Sequence, residues 1–298
     1  MSEVQVNVRA SSLPVTATFA LVLTPLLYLR GWFRLRRCSP NRIPLRSLSA
    51  FITGFFLVWA ATASPLAELD HLSLSLHMVK HLLLMTVAAP LILVGAPALP
   101  LLHGLSGPFI QSRWFLRNRT IRWIAFVLAH PLFCWTAATA VVIGWHLPVT
   151  FQLAMRSSWM HSVEDVCFLL AGLLFWRPLI IAKPVSSLTR SPRWSMALYL
   201  FLATLPCDIL SAFLTFCNRL VYPCYLFTAR PFGLSPVQDQ ECAGALMWVW
   251  VTFAYLIPTV VITMQILSPT EARWQELPQA AWPRLAVQLQ DGSESEVL

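Results

Sequence analysis

His77 and His81 stand four residues apart near the start of a long apolar run, with Met78, Val79 and Lys80 between them. In a helix that spacing puts both imidazoles on one face, where they can share one metal ion. His146 closes a later apolar run, and His161 opens the one after it, followed three and four residues on by Glu164 and Asp165. Asp239, Gln240 and Glu241 open the last run. Imidazoles bind transition metals and serve as axial ligands to haem, and a polar group beside them can fix the ring by bonding its second nitrogen. If the runs are membrane helices, all four histidines lie near one face of the bilayer. The candidate metal ligands are therefore His77, His81, His146 and His161, with Asp239, Gln240, Met78, Asp165, Glu164 and Lys80 as accessory groups.

The spacing also limits the chemistry. No glutamate lies between His77 and His81, so the H-E-x-x-H arrangement of zinc proteases is absent. Met78 and Met85 bring thioethers to the same helix, which suits copper(I), although methionine is equally ordinary core filler. A cation at Lys80 weakens a neighbouring metal site unless it points away. It can snorkel to the outer surface or pair with Asp70, Glu164, Asp165 or Asp239. Asp208, inside another apolar run, is a further costly group whose partner could be Lys80. His130 precedes Pro131 and is expected to satisfy a carbonyl that the proline frees. His71 and His103 stand outside the principal set. The chain has no Walker A, G-x-G-x-x-G, G-x-S-x-G or C-x-x-C-H sequence, so nothing points to ATP, nicotinamide, acyl-transfer or covalent haem chemistry. Its seven cysteines include no C-x-x-C. Cys217, Cys224 and Cys242 fall on or beside one loop, where an oxidising compartment would permit a disulfide; free thiols are expected.

The elements that must position these groups are membrane spans. Hydrophobic residues make up 57% of the chain and charged residues 11%, with a mean hydropathy of +0.65; soluble domains carry about 25% charged residues. Apolar runs fall at about 13–29, 48–63, 72–94, 121–144, 162–182, 195–216 and 242–267. The gaps after the first, third and fifth runs, with the tail, hold sixteen Lys and Arg, against Arg9, Arg156, Arg219 and Arg230 on the opposite side. The positive-inside rule then predicts an all-α, polytopic seven-helix membrane bundle, N-terminus outside and C-terminus cytoplasmic. Residues 1–12 form an extracytoplasmic segment, 13–267 the membrane domain and 268–298 a polar cytoplasmic tail. No cleavable signal peptide is expected. The loops 64–71, 145–161 and 217–241, which carry or border the candidate site, lie outside. The net charge of +8 belongs to the inner loops, not to a basic–aromatic surface, so nucleic acid is not an expected partner.

The string from Ser64 to Pro97, SPLAELDHLSLSLHMVKHLLLMTVAAPLILVGAP, resembles the CtaG-type family of cytochrome c oxidase assembly factors, which are multi-span bacterial membrane proteins. The resemblance runs from about residue 48 to 267. It is carried by Pro65, His77-Met78, His81, Pro90-Leu91, Gly95 and Pro97; by His130-Pro131 and the Trp145-His146-Leu147-Pro148 corner; by His161 followed by GLLFWRP from Gly172; by Leu220 to Tyr225; and by DQECAGALMW from Asp239. The resemblance implies a role in maturing haem-copper oxidases, with copper as cargo. It also implies oxidase subunits and a periplasmic copper donor as partners, and a bacterial inner-membrane location with the metal side facing outward. Two positions depart from the family pattern: Lys80, where relatives carry an uncharged residue, often Gln, and Asp165, where many carry His.

The leading expectation is an assembly factor or metallochaperone, not an enzyme, whose outer histidine cluster binds copper and passes it on. Three alternatives remain open on the sequence. They are a b-type haem or quinone-reactive protein with bis-histidine ligation, a membrane metal-dependent enzyme using Glu164 or Asp165 as base, and a structural oxidase partner that binds no metal.

Overall fold

A computed structural model describes residues 15–38, 44–105, 118–181, 193–226, 228 and 232–267. The expected outer segment 1–12 and the tail 268–298 lie outside the described residues. Among those described, the chain is helical and no strand occurs. In chain order the helices are α1 (Val15–Cys38), α2 (Leu45–Thr62), α3 (Leu74–Val94), α4 (Ala98–Gly104), α5 (Arg119–Val127), α6 (Pro131–His146), α7 (Pro148–Arg156), α8 (Ser158–Ile180), α9 (Arg193–Phe216) and α10 (Pro236–Leu267).

Among the described residues, four helices are long and apolar enough to cross a membrane: α2, α3, α9 over Trp194–Phe216, and α10. A fifth span exists if α5 and α6 are counted together. They are not the single straight helix expected over 121–144, because the two segments meet at 67°. The break lies before Pro131, which disfavours helical backbone at the preceding residue; His130 is extended, with φ −73° and ψ 124°. The carbonyl freed by Pro131 is that of Val127, and His130 serves it through its main-chain N–H at 3.0 Å, not through its imidazole. Its side chain is exposed and makes no capping bond, while Arg177 of α8 donates to the Leu128 carbonyl at 2.8 Å.

The expected loop 145–161 is also more structured than its composition suggests. Leu147 and Ser157 are extended, and between them Pro148 starts the short helix α7. Ser157 then caps α8 by accepting from the Met160 N–H at 3.5 Å. This corner delivers His146 at the end of α6 and His161 in the first turn of α8.

α3 lies at the centre, packed against α2, α8 and α10. Two residues after His81 it widens into a π turn over Leu83–Ala88, where the Ala89 N–H reaches the Leu84 carbonyl. In that register the next donor, to Met85, would be Pro90, which has no N–H. Trp176 of α8 supplies the missing bond, its indole donating to the Met85 carbonyl at 3.1 Å. Trp250 of α10 donates to the Thr86 hydroxyl at 2.8 Å. The widened turn is thus satisfied from both neighbouring helices. The apolar core has two parts. One runs from Leu74 and Met78 on α3 through Phe168 and Phe175 on α8 to Met247 and Tyr255 on α10. The other joins α1 and α2 to the back of α3, where Tyr28 stacks on Phe51 with centroids 3.7 Å apart.

Gly172 is what lets α8 approach α3 so closely. A Cβ there would lie 2.6 Å from the Met85 carbonyl oxygen and 2.8 Å from the Ala89 Cβ. Gly172→Ala is therefore expected to lower the stability of detergent-purified protein by about 1–3 kcal/mol, read as a reduced melting temperature.

Candidate metal centre

Two matching side-chain triads face each other across the α3–α8 contact. α3 presents His77, Lys80 and His81; α8 presents His161, Glu164 and Asp165. Both follow an i, i+3, i+4 pattern, which gathers three side chains on one helix face. All six are buried, His77 and Glu164 almost completely, at 0% and 1% exposed.

The six divide into two neighbouring groups. In the first, His77 Nε2 and His81 Nε2 lie 2.8 Å apart, and Glu164 Oε1 is 3.5 Å from His77 Nε2 and 3.4 Å from His81 Nε2. A circle through three atoms with those separations has a radius of about 1.9 Å, close to the 2.0–2.1 Å of metal–imidazole and metal–carboxylate bonds. An ion slightly off the plane of the three atoms would reach all of them. The donor set of two imidazoles and one carboxylate fits a borderline divalent metal. In the second group, the Lys80 ammonium contacts Asp70 Oδ2, lies 2.6 Å from His161 Nε2 and 2.9 Å from Asp165 Oδ1. Asp70 comes from the turn Pro65–His71 before α3, and its Oδ2 is 2.8 Å from His161 Nε2. Of the partners the sequence allows for Lys80, the structure selects Asp70 and Asp165.

The surrounding residues hold these groups in place. Asp239, at the start of α10, does not touch the histidines. Its carboxylate accepts from the Leu74 N–H at 2.7 Å and the Ser75 N–H at 3.3 Å, and from the Ser73 and Ser75 hydroxyls at 2.8 and 2.6 Å. It therefore caps, from another helix, the N-terminus of the helix that bears His77 and His81. Gln240 accepts from the Val221 N–H at 2.7 Å and donates to the Arg219 carbonyl at 3.1 Å, pinning the loop before α10. From that loop Tyr225 donates to the Asp70 carbonyl and Tyr222 to the His146 carbonyl, each at 2.9 Å. Phe168 stacks on His81 at 4.1 Å, and Phe151 meets His77 edge-on at 4.9 Å.

Of the four predicted ligands, His77 and His81 come together with Glu164, while His161 joins Asp70 and His71 in a second group of potential donors. His146 is buried but belongs to neither group. Its Nδ1 donates to the Val142 carbonyl at 2.7 Å, which leaves Nε2 as a lone pair without a hydrogen-bond partner among the described residues. Met78, about 100° around the helix from His77, packs in the apolar core. The described cysteines near the loop, Cys217, Cys224 and Cys242, are free. The tyrosine clamps and the aromatic faces of Phe151 and Phe168 carry no charge pattern that distinguishes them from ordinary core residues in sequence.

Three carboxylates, Asp70, Glu164 and Asp165, face one ammonium, leaving two uncompensated negative charges when the imidazoles are neutral. Burial alone would raise the Asp70 carboxyl, but His161 and the Lys80 ammonium beside it outweigh that and hold it well below the usual carboxylate range. Burial lowers His71 from its ordinary value.

The profile of the cytochrome c oxidase caa3 assembly factors (Caa3_CtaG) matches residues 26–268, and the chain belongs to that family. An uncharacterized protein of Mycobacterium leprae is 23% identical over 256 residues, covering 81% of this chain and 36% of that protein. Uncharacterized proteins of Mycobacterium bovis and Mycobacterium tuberculosis are each 23% identical over 251 residues, covering 80% of this chain and 36% of theirs. The chain thus spans about a third of the length of these relatives. No solved structure matches it.

Two outcomes are expected. Asp239→Ala removes the cap of α3 and should lower stability by about 1–3 kcal/mol in thermal unfolding while retaining every metal donor. Because the Asp70 pKa is depressed by folding, its stabilisation is present above the ordinary carboxylate pKa, about 4, and is lost as pH falls below it. The melting temperature should therefore drop on acidification from about pH 5 downward, and Asp70→Asn should flatten that slope.

Proposed function

We propose that this assembly factor carries a copper ion on His77, His81 and Glu164 and delivers it to a haem-copper oxidase subunit at the outer face of a bacterial plasma membrane. The observation that carries the reading is the convergence of three buried donor atoms, 2.8 to 3.5 Å apart, from two helices. A proton shared between the two imidazoles accounts for their 2.8 Å approach, and a cation in its place would be met by both nitrogens and by the Glu164 carboxylate. The nitrogen–nitrogen–oxygen set favours copper(II) over copper(I), whose preferred thioether ligand is not offered by the core-packed Met78. The two uncompensated charges give a divalent ion further electrostatic support.

The topology we propose has seven spans, with α1 and α8 added to α2, α3, the bent α5–α6 pair, α9 and α10. α1 has 24 residues and α8 has 23, each long enough to cross at 1.5 Å per residue. Glu164, Asp165 and Arg177 make α8 less apolar, but its two acids turn inward against α3. The Lys and Arg asymmetry supports an outer N-terminus and a cytoplasmic C-terminus, which turns His71 and the Asp70 turn towards an external copper donor. The bis-histidine haem alternative has less support. The axial pair would join His77 or His81 to His146 or His161 on a facing helix, but Phe151 and Phe168 cover the rings of His77 and His81, and His161 Nε2 is engaged by Asp70 and Lys80.

Elemental analysis of copper-loaded, detergent-purified protein is expected to find about one copper per chain in the wild type and less than about a tenth of that in His77→Ala/His81→Ala. Host oxidase activity should fall with it. Equal copper content in the two proteins, or oxidase activity unchanged in the mutant, defeats the reading. The topology is checked by tags in intact cells, with an N-terminal tag labelled from outside and a C-terminal tag protected.

A further inference from the structure

We propose that Lys80 is a tethered cation filling a second cation site, built by Asp70, His161 and Asp165 beside the His77–His81–Glu164 centre, and that removing its ammonium opens this site to a divalent ion such as Zn2+. The inference goes beyond the copper reading and does not require the neighbouring centre to be filled.

The geometry is that of a coordination shell around Nζ. Three polar atoms surround the ammonium: it bonds to Asp70 Oδ2, lies 2.6 Å from His161 Nε2 and pairs with Asp165 Oδ1 at 2.9 Å. His161 Nε2 cannot both donate to Asp70 and accept from Lys80. With the ring proton on Nε2 the imidazole donates to Asp70 Oδ2 at 2.8 Å, and with it on Nδ1 the ring offers its Nε2 lone pair to Lys80 at 2.6 Å; in both tautomers Asp70 is the anion that His161 and Lys80 share. These groups are buried, so the Lys80 ammonium meets their charge with little screening by water.

The shell also has the chemistry of a metal site. Donor atoms of Asp70, His71 and His161 lie within 4.8 Å of one another, and Asp165 adds a second carboxylate through Lys80. Mixed imidazole and carboxylate donors bind Zn2+. The groups come from the turn before α3 and from α8, and the cation they surround comes from α3. Lys80 is 6% exposed, so its ammonium does not escape to solvent. The site as a whole is therefore a two-cation site with one cation built into the chain.

The test is Zn2+ binding by calorimetry and elemental analysis on the detergent-purified full chain. Methionine ends one atom short of Nζ, so Lys80→Met keeps the packing of the stem and removes the charge. Lys80→Met is expected to bind one more Zn2+ per chain than wild type. The additional ion should disappear in Lys80→Met/Asp70→Asn and survive in Lys80→Met/His77→Ala/His81→Ala. Equal stoichiometry in folded Lys80→Met and wild type overturns the proposal. The neighbouring reading fails separately: a wild type that binds no metal, beside a Lys80→Met that binds one through Asp70, upholds the second site and sinks the first. If Lys80→Met is too unstable without metal, Zn2+ is expected to raise its melting temperature by more than it raises that of wild type, since the ion binds only the folded chain. Absence of that rescue also overturns the proposal.

Discussion

Charge buried between α3 and α8 is the constraint on which the rest of this structure depends. Three carboxylates, one ammonium and three imidazoles occupy a space from which solvent is nearly excluded. Each such ion costs several kcal/mol to desolvate unless its partners are close and correctly placed. Small relative movements of the two helices would break those partnerships, so the helix–helix distance must be set elsewhere. Gly172 sets it from below the site by letting α8 come to the backbone of α3, and the Trp176–Met85 bond locks the same contact. Above the site, Asp239 fixes the start of α3 and Tyr225 fixes the Asp70 turn. The polar groups are held between two anchors that are themselves uninvolved in metal or proton chemistry.

The π turn belongs to the same logic. Pro90 would leave a main-chain carbonyl without a donor one to two turns deeper than the site. Widening the helix moves that defect to Met85, where an indole from α8 can reach it. A backbone irregularity that would be costly in lipid becomes a specific link between the two helices that carry the metal donors. Trp250 repeats the arrangement from α10 through the Thr86 hydroxyl.

Much of this is legible in the sequence because spacing in a helix is a statement about direction. Spacing alone places His77 with His81, and His161 with Glu164 and Asp165, on shared helix faces. It does not rank them. Glu164 reads as an accessory acid in sequence but meets both imidazoles, whereas Asp239 reads as a partner of the histidines but caps their helix. The difference lies in which helix packs on which, a long-range property that local periodicity does not encode. Asp70 is one of five partners open to Lys80 on sequence grounds, and only the fold of the turn at Pro65–His71 brings it there. The bend before Pro131 is available in principle from the restriction proline places on its predecessor, but continuous apolarity across 121–144 masks it.

Any ion held by His77, His81 and Glu164 lies beneath a cover that is unlike its walls. The walls are α3 and α8, joined by close packing over several turns. The cover is the short turn Pro65–His71, whose Asp70 carboxylate pairs with Lys80 and His161, and the segment around Tyr222–Tyr225, held by single hydrogen bonds to the main-chain carbonyls of His146 and Asp70. Breaking one tyrosine bond costs about 1 kcal/mol, far less than separating the helices, while the Asp70 pairing is the stronger hold on the turn. The side chain of His71, 39% exposed at the edge of the cover, sits 3.6 Å from Asp70 and with its ring 5.0 Å from that of His161. A ligand passing inward or outward would therefore meet an accessible imidazole first, then the Asp70–Lys80–His161 group, and the buried His77–His81–Glu164 centre last. Such an order fits the proposed carrier: the walls would retain an ion and the cover would govern its exchange.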